Sequence, residues 1–374
     1  MRIGVISTYP PIQCGIATYS SFLIDELKKL ENVVHIVSEY GAEGENVHPV
    51  YNSQDPDLAY KIFRTMIKFN PDIVHIQHEF GLFGSHRGVN VLPLIYMFKL
   101  SRIPVVTTLH TVYENLAYDS RIIIEAVIRA SDAVIVHEDY QKESIFKNIS
   151  RFDNIFVIPH GVRKVNFIKD AKHKMGVQGR KTILLLGYFR PSKNFEQIIK
   201  IMPQIKKQVP DALLIVAGDN RMNECSEYTD KIVEMIKNSA AADSIKYIKG
   251  EFSKDTLDTI ICSADAAALP YKISSQSGIM AHLLAFGIPL VTSGIRVFEE
   301  TFKKAKCGFM SLTDEDYVEN IVKILTDNNL KNKLSSAALK LVNEQLLWEM
   351  VGKKTVGVYQ RTISNNYPTG IPTF

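Results

Sequence analysis

The chain has little of what marks a secreted, membrane-spanning or nucleic-acid-bound protein. Four of its 374 residues are cysteine: Cys14, Cys225, Cys262 and Cys307. No two of them stand in a CxxC or zinc-like spacing. That excludes a disulfide framework and predicts free thiols in a reducing cytoplasm. Long apolar runs are missing too. The longest, Val89 to Leu100, is broken by Asn90, Pro93 and Lys99 and is too short to cross a bilayer. The opening MRIGVISTYP reads as a strand entering a turn, without the basic and then apolar pattern of a leader. Charge of one sign is scarce: 44 Lys and Arg against 40 Asp and Glu leave a net +4. Nucleic-acid binders concentrate far more positive charge, so that partner is excluded, while anionic small molecules suit the balance.

What is present is an ordinary globular composition, 46% hydrophobic and 22% charged. At roughly 150 residues per domain the length predicts two domains. Val/Ile-rich runs of strand length alternate with helical periodicity throughout. In the first half the runs are Arg2–Tyr9, Val33–Tyr40, Asp72–Gln77, Pro104–Leu109, Ala133–His137 and Ile155–Pro159. Gly161–Arg180 is polar and aperiodic and reads as a linker. The alternation restarts with Lys181–Gly187, Ala212–Gly218, Ile245–Ile248, Ala266–Pro270, Pro289–Thr292 and Gly308–Ser311, and the chain closes in helices. Apolar strands separated by helices predict parallel sheets covered on both faces. The expected class is α/β, with two doubly wound, Rossmann-like domains and ligands beyond the carboxyl ends of their strands.

Several residue groups fall on those ends. The first strand-to-helix turn, Ser7 to Thr18, has two prolines and a lone Gly15 where a dinucleotide-binding turn would read GxGxxG. Hydride transfer is therefore disfavoured, although Glu39 ends the second strand where a ribose could be held. Gly15 at a helix start lets a backbone N–H approach a ligand oxygen. His78, His110 and His160 each end or closely follow a strand, and a histidine there can serve a ligand. In the second half, Gly187-Tyr188-Phe189-Arg190-Pro191-Ser192-Lys193 sets two cations just before a helix, a pattern suited to a diphosphate. Ser277, Gly278 and Ile279 could present further N–H groups. Asp55-Pro56-Asp57 superficially matches a metal-holding DxD, but Asp55 as N-cap with Pro56 following explains it better. No metal site is expected. The helix Pro56–Phe69 carries Lys61, Arg64 and Lys68 beside Ile62, Phe63, Met66 and Ile67. That arrangement suits either a solvated basic face or peripheral contact with an anionic membrane.

Taken in order, YPP…CGIATYS, QHEFGLFG, TLHTVY, IPHG, GYFRPSKNF, LPY…SQSG and AFGIPLV resemble the retaining glycosyltransferases of family 4, which have the GT-B fold. The resemblance covers nearly the whole chain and is strongest to the bacterial branch with CGIAT and QHE-type motifs. It implies two Rossmann-like domains facing a central cleft: an acceptor domain over residues 1–165 and a nucleotide-sugar donor domain over 166–345. Residues 346–374, which include Leu347-Trp348-Glu349, would form a closing helix that crosses back to the first domain. Two departures stand out. Tyr188 occupies the place of the family's first arginine, with Arg190 two residues later. The family's pair of glutamates falls on Ser274 and His282.

The resemblance implies transfer of a hexose from a UDP- or GDP-linked sugar to an acceptor hydroxyl of a saccharide or lipid-linked molecule, with retention. His110, Arg190 and Lys193 would be the catalytic residues. Gly15, Gly187, Ser275, Gln276, Ser277, Gly278, Ile279 and His282 would bind the donor. Gln13, His78, Glu79 and His160 would lie on the acceptor side. No cofactor or metal is implied, because protein cations hold the leaving diphosphate, and the site of action would be the cytoplasm or the inner face of its membrane. A nucleotide-sugar epimerase of the same fold and a non-catalytic nucleotide-sugar binder are the alternatives.

Overall fold

The computed structural model describes residues 1–220 and 226–366. It divides into two compact units, residues 1–161 together with the chain from Leu346 onward, and Val162–Gln345. Residues 162–165, expected with the first domain, thus group with the second. Cys225 and residues 367–374 lie outside the described residues.

The first unit holds strands β1 (Arg2–Ile6), β2 (Val33–Glu39), β3 (Val47–Tyr51), β4 (Ile73–His78), β5 (Val105–Leu109), β6 (Ala133–Val136) and β7 (Ile155–Val157). They form one sheet in the order β3-β2-β1-β4-β5-β6-β7. Every neighbouring pair is parallel. β4, β5 and β6 are buried along their whole length, as strands covered on both faces must be. The strand that sequence periodicity misses is β3. It carries Pro49, which cannot donate to a ladder, and it sits at the sheet edge where that loss is tolerated.

The second unit repeats the plan with β8 (Lys181–Leu186), β9 (Ala212–Gly218), β10 (Ile245–Lys249), β11 (Ala266–Leu269), β12 (Leu290–Thr292) and β13 (Gly308–Met310), in the order β10-β9-β8-β11-β12-β13. The segment read as a linker is built into this unit. Val162, Ala171 and Val177 are buried, and the Arg163 guanidinium forms a buried ion pair with Asp258. Lys172 pairs with Asp265 at 2.5 Å. The polarity of Gly161–Arg180 thus reflects internal ion pairing rather than a tether.

Asp55 does not cap its helix. The helix Leu58–Met66 starts from Asp57, while the Asp55 carboxylate accepts from the Asn52 amide at 3.0 Å, closing the turn before it. Lys61, one turn in, pairs with Asp55 and Asp57 at 2.9 and 3.0 Å. Ile62 and Met66 are buried, so the apolar face of this helix belongs to the core and its basic stripe is partly neutralised from within. Among the described residues no helix is long and apolar enough to cross a membrane. Cys14, Cys262 and Cys307 are free thiols.

The closing helix, Trp348–Asn366, packs on the helix Gly15–Lys29 of the first unit. Trp348, the chain's single tryptophan, is 5% exposed. Its ring meets Tyr19, Phe22 and His160 at centroid distances of 5.0, 5.7 and 5.7 Å. The indole lies directly on Gly161, where an added Cβ would stand 2.1 Å from Cδ2. Gly161→Ala is therefore expected to lift Trp348 from its seat, at a cost of roughly 1–3 kcal/mol for overpacking. Trp348 fluorescence should shift to the red and the melting temperature should fall. Unchanged emission and stability would show that the seat has room to spare.

Candidate functional site

In an open parallel sheet the strand order reverses at one point, and the loops leaving the carboxyl ends on either side diverge to leave a crevice. In the first unit that point lies between β1 and β4, and in the second between β8 and β11. Gln13, Gly15, His78 and Glu79 follow the strands at the first of these points and the Gly187–Lys193 and Ser275–Ile279 groups those at the second, whereas His110 and His160 follow β5 and β7.

After β1, the turn leads through exposed Gln13 to Cys14, whose side chain makes no capping bond to the helix that begins at Gly15. Gly15 is exposed, with nothing within 4 Å of where a Cβ would stand. The helix start is thus an open patch of backbone. After β4 comes Glu79. One carboxylate oxygen accepts from the Phe80 amide at 3.0 Å and the other from the Thr111 hydroxyl at 2.7 Å. Burial raises its pKa, and these two bonds oppose the rise. His78 is 2% exposed and its ring stacks on Phe83. Burial pulls its pKa down to about 4. The chain passes over this ring through His86, Arg87 and Gly88, all at positive φ. A Cβ on Gly88 would stand 3.1 Å from His78 Nε2.

His110, just beyond β5, is fully buried and belongs to a cluster. Its Nε2 stands 2.8 Å from the Gln77 side-chain amide, and its Nδ1 stands 3.3 Å from His137 Nε2. Tyr19 packs edge-on against the His110 ring at 4.7 Å and also against His137 and His160. His160 Nδ1 donates to the Gly161 carbonyl at 2.8 Å. Burial, and then the neighbouring imidazoles, hold His110 well below the usual histidine range. The pKa of His137 is brought down to about 3 by burial first and His160 second. These rings are therefore neutral at physiological pH.

In the second unit Gly187 follows β8 at φ +131 and Gly218 ends β9 at φ +149. A Cβ on Gly218 would stand 2.0 Å from the Gly187 carbonyl oxygen, so only glycine fits there. The chain then turns through half-buried Arg190 and Lys193 to Asn194, which is left-handed at φ 54. Lys193 Nζ lies 3.5 Å from the centroid of the buried Tyr271 ring, and the Lys272 amide donates to the Ser192 carbonyl at 2.9 Å. The loops after β8 and β11 are thereby joined. Burial, then the charge of Arg190, lowers the Lys193 pKa to about 7.

The two helix starts differ in availability. At the helix Phe195–Gln208 the Phe195 amide donates to the Tyr228 hydroxyl, so the amide expected beside Lys193 is already used. At the helix Gly278–Ala285, Ser277 Oγ accepts from the Met280 amide at 3.2 Å, and the cap does not engage the amides of Gly278 and Ile279. A Cβ on Gly187 would stand 3.4 Å from Ile279, so this helix start adjoins the turn after β8. Ser274 Oγ donates to the Gln276 carbonyl at 2.5 Å, which ties the loop to itself. Ser275 is buried, and Gln276 and His282 are half-buried. Two cations, a helix start whose first amides the cap leaves unengaged, and small residues thus meet here, the kind of grouping that suits an anion.

Gly187, Arg190, Lys193, Ser277, Gly278 and Ile279 are thus gathered at one switch point. His110 and His160 share one cluster in the first unit, and Glu79 lies at the end of β4. Sequence reading missed His75, Gln77, His137, Tyr19, Tyr271 and Tyr359. A signal existed for two of them: His75 and Gln77 are polar at alternate positions of a wholly buried strand, and so share one face. Among the described residues no group of three or more His, Cys, Asp or Glu side chains is placed to hold a metal ion.

Residues 14–164 match the family model described as glycosyltransferase family 4, and residues 168–341 match that of glycosyl transferases group 1. The chain is 23% identical to the alpha-monoglucosyldiacylglycerol synthase of Streptococcus pneumoniae, over 98% of this chain and 87% of that protein. It is 21% identical to a GDP-mannose-dependent phosphatidylinositol monomannoside mannosyltransferase of Mycolicibacterium smegmatis, over 85% of this chain and 87% of the relative. The fold matches Anabaena HepE in complex with UDP, with a TM-score of 0.77, 14% identity and coverage of 96% and 100% of the two chains. It also matches a sucrose-phosphate synthase from Thermosynechococcus elongatus, with a TM-score of 0.78, 14% identity and coverage of 98% and 100%. With two parallel sheets and consecutive family matches along most of its length, the chain belongs to family 4 of the glycosyltransferases and has the GT-B fold.

Proposed function

We propose that the enzyme transfers a hexose from a UDP- or GDP-linked donor to a hydroxyl of a saccharide or lipid-linked acceptor, with retention at the anomeric carbon. The observation that carries this reading is the anion site of the second unit, where Arg190, Lys193 and the amides of Gly278 and Ile279 adjoin one strand end. Breaking the glycosidic bond leaves a diphosphate that gains negative charge, and preformed cations and amides stabilise that charge without reorganising. In this reading the leaving group needs no divalent ion. The names of relatives support the substrate class: one is a GDP-mannose-dependent transferase, and Anabaena HepE has been solved with UDP-glucose.

In front-face retention the departing phosphate can itself take the acceptor proton, so no dedicated enzyme base is required. His110 would serve the donor sugar. Gln13, Glu79, His78 and His160 would shape the acceptor side, with His78 acting from beneath the Gly88 turn. Because Ser274 and His282 stand where related enzymes have glutamates, backbone and hydroxyl groups of Ser275–Ile279 would hold the donor in their place. Such a protein would work in the cytoplasm, where sugar nucleotides are made.

A panel of labelled sugar nucleotides tests the reading. Transfer to, or slow hydrolysis of, one UDP- or GDP-hexose is expected, and EDTA should leave the activity in place. Release of an epimerised nucleotide sugar without an acceptor, binding without turnover, or loss with EDTA that Mg²⁺ restores would each overturn it.

The Lys193 ammonium has its own signature. Its pKa near 7 in the free protein should rise when a diphosphate binds, because the cation is then favoured. Below about 7 both states hold the proton. Above it only the complex does, so donor binding should take up a proton and weaken as pH rises. A nucleotide sugar is the probe, since its phosphates do not titrate in this range. Calorimetry in buffers of different ionisation enthalpy should show the uptake in the wild type and none in Lys193→Ala. Equal proton uptake in both would remove Lys193 from the diphosphate.

His110→Ala is expected to lower turnover far more than it weakens the binding of bare nucleoside diphosphate, because an interaction with the sugar is lost only when the sugar is present. Equal losses in turnover and nucleotide affinity would place His110 at the nucleotide instead.

A further inference from the structure

Beyond β4 the chain runs through a left-handed stretch. Gly84, His86, Arg87 and Gly88 all have positive φ, with His86 at φ 56, ψ 53 and Arg87 at φ 59, ψ 31. Left-handed backbone is costly for any residue with a Cβ, and two such residues in succession persist only where their surroundings impose it. The Arg87 side chain is aimed by two contacts. Its guanidinium lies over the Phe80 ring, 5.2 Å from the centroid, and Nε donates to the Asp119 carboxylate at 2.8 Å. The two side chains of that ion pair are 41% and 57% exposed, and a pair so open to water adds little stability. Tying the loop to the helix Tyr118–Ala130 is therefore a poor reason for the strain. Strain of this kind collects at binding and catalytic sites, where a side chain has to be held in one direction.

The polar groups around Arg87 follow the neighbouring strands β4 and β5. Glu79 leaves β4, and Thr111 and Tyr113 leave β5. The Tyr113 carbonyl accepts from Ser144 Oγ at 2.7 Å, which pins the backbone there. Burial raises the Tyr113 pKa, the Glu79 carboxylate adds to the rise and the Arg87 cation opposes it, so the phenol stands within electrostatic reach of both. Among the described residues, neither the Tyr113 hydroxyl nor the terminal nitrogens of Arg87 make a hydrogen bond. Each Glu79 oxygen has accepted one bond, from Phe80 or Thr111, and keeps a further lone pair. Unused donors, unused acceptors and a hydroxyl that can be either thus share one strand-end corner beside the β1–β4 switch point.

Charge decides what such a corner can hold. Glu79 and Asp119 set two carboxylates against the one guanidinium of Arg87, so no positive excess is left to attract a phosphate. An apolar tail is no better served, because it would cover these polar groups without pairing them. Sugar hydroxyls fit. Each both donates and accepts, and neighbouring hydroxyls on a ring can bridge a carboxylate, a phenol and a planar guanidinium. We propose that Arg87 and Tyr113, with Glu79, are specificity-determining residues for the acceptor, and that they read the uncharged, hydroxyl-bearing ring of a saccharide. The enzyme then extends a sugar already in place, on a glycan or a glycolipid headgroup, rather than starting one on a phosphate or a lipid alcohol. This rests on the reading of Glu79 as an acceptor-side residue of a sugar transferase.

The test is saturation-transfer NMR on the full-length protein with methyl glycosides of glucose, galactose, mannose and N-acetylglucosamine, each beside its phosphate ester at the primary hydroxyl. One neutral glycoside is expected to bind, and more tightly than its phosphate ester. Arg87→Ala should weaken it about tenfold and Tyr113→Phe roughly fivefold, as for hydrogen bonds to a charged and to a neutral group. Arg87→Gly separates aim from architecture. It should lose the glycoside as Arg87→Ala does, yet melt a few degrees above Arg87→Ala, because glycine accepts the left-handed backbone. Binding of no glycoside, or glycoside binding that Arg87→Ala and Tyr113→Phe leave intact, would overturn the proposal. So would a phosphate ester that binds more tightly than its parent and loses that gain in Arg87→Ala, or an Arg87→Gly protein that melts below Arg87→Ala. The wild-type comparison decides even if the variants fold poorly. Transfer from labelled sugar nucleotides is a separate readout. Its failure alongside glycoside binding removes the transferase and leaves the saccharide site, and transfer without glycoside binding does the reverse.

Discussion

A polar group taken into the interior of a parallel sheet has to find its partner inside the protein, since water cannot reach it. The first unit carries this requirement to an unusual degree. β4 places His75 and Gln77 on one face of a strand that is entirely buried, and β5 and β6 bring Thr108, His110 and His137 beside them. An all-apolar sheet could close its core with any greasy helix. This one needs a hydroxyl at a fixed point, and Tyr359 supplies it. The attachment of the closing helix is thus as much a matter of hydrogen-bond satisfaction as of burying Trp348, Val351 and Val358. Without that helix, His75 Nδ1 would face an apolar gap.

The second unit is governed by a different constraint, close approach of backbone. A side chain on Gly218 would strike the Gly187 carbonyl, and Gly187 itself holds a φ of +131 that other residues rarely adopt. Their freedom lets the chain turn so that Arg190, Lys193 and the start of the helix Gly278–Ala285 share one corner. Tyr271 forms the floor of that corner, and its ring face attracts the Lys193 ammonium while burial works against the charge. The outcome is an ammonium whose pKa is brought down to about 7 by burial and the charge of Arg190.

Most strands were legible because continuous Val/Ile runs between helices have few other solutions, and Ala212–Gly218 is placed to the residue. The grouping of Gly187, Arg190 and Lys193 in one turn was legible as well, because Gly-x-x-Arg-x-x-Lys is local in sequence. Three features were not. β3 is short, edge-bound and carries a proline. Gly161–Arg180 reads as a tether because Arg163 and Lys172 are charged, and only their distant partners, Asp258 and Asp265, reveal that they are internal. The histidine cluster depends on pairings such as His75 with Tyr359, separated by nearly the whole chain. Strand-end position pointed to His110 and His160. Nothing local could show that the ring of His110 would be enclosed and shared between Gln77 and His137.

The first unit is made of two pieces of chain, residues 1–161 and the stretch from Leu346 onward, with the second unit continuous between them. During synthesis from the amino terminus, the second unit is therefore complete while the first still lacks its last element. Until Trp348 and Tyr359 emerge from the ribosome, the nascent first unit has an uncovered indole seat at Gly161 and an unanswered imidazole in its core. Domains fold as units in the order they are made, but here the order of completion is reversed. A ribosome that stalls late, or a message truncated before codon 348, leaves a complete second unit attached to a first unit without its closing helix.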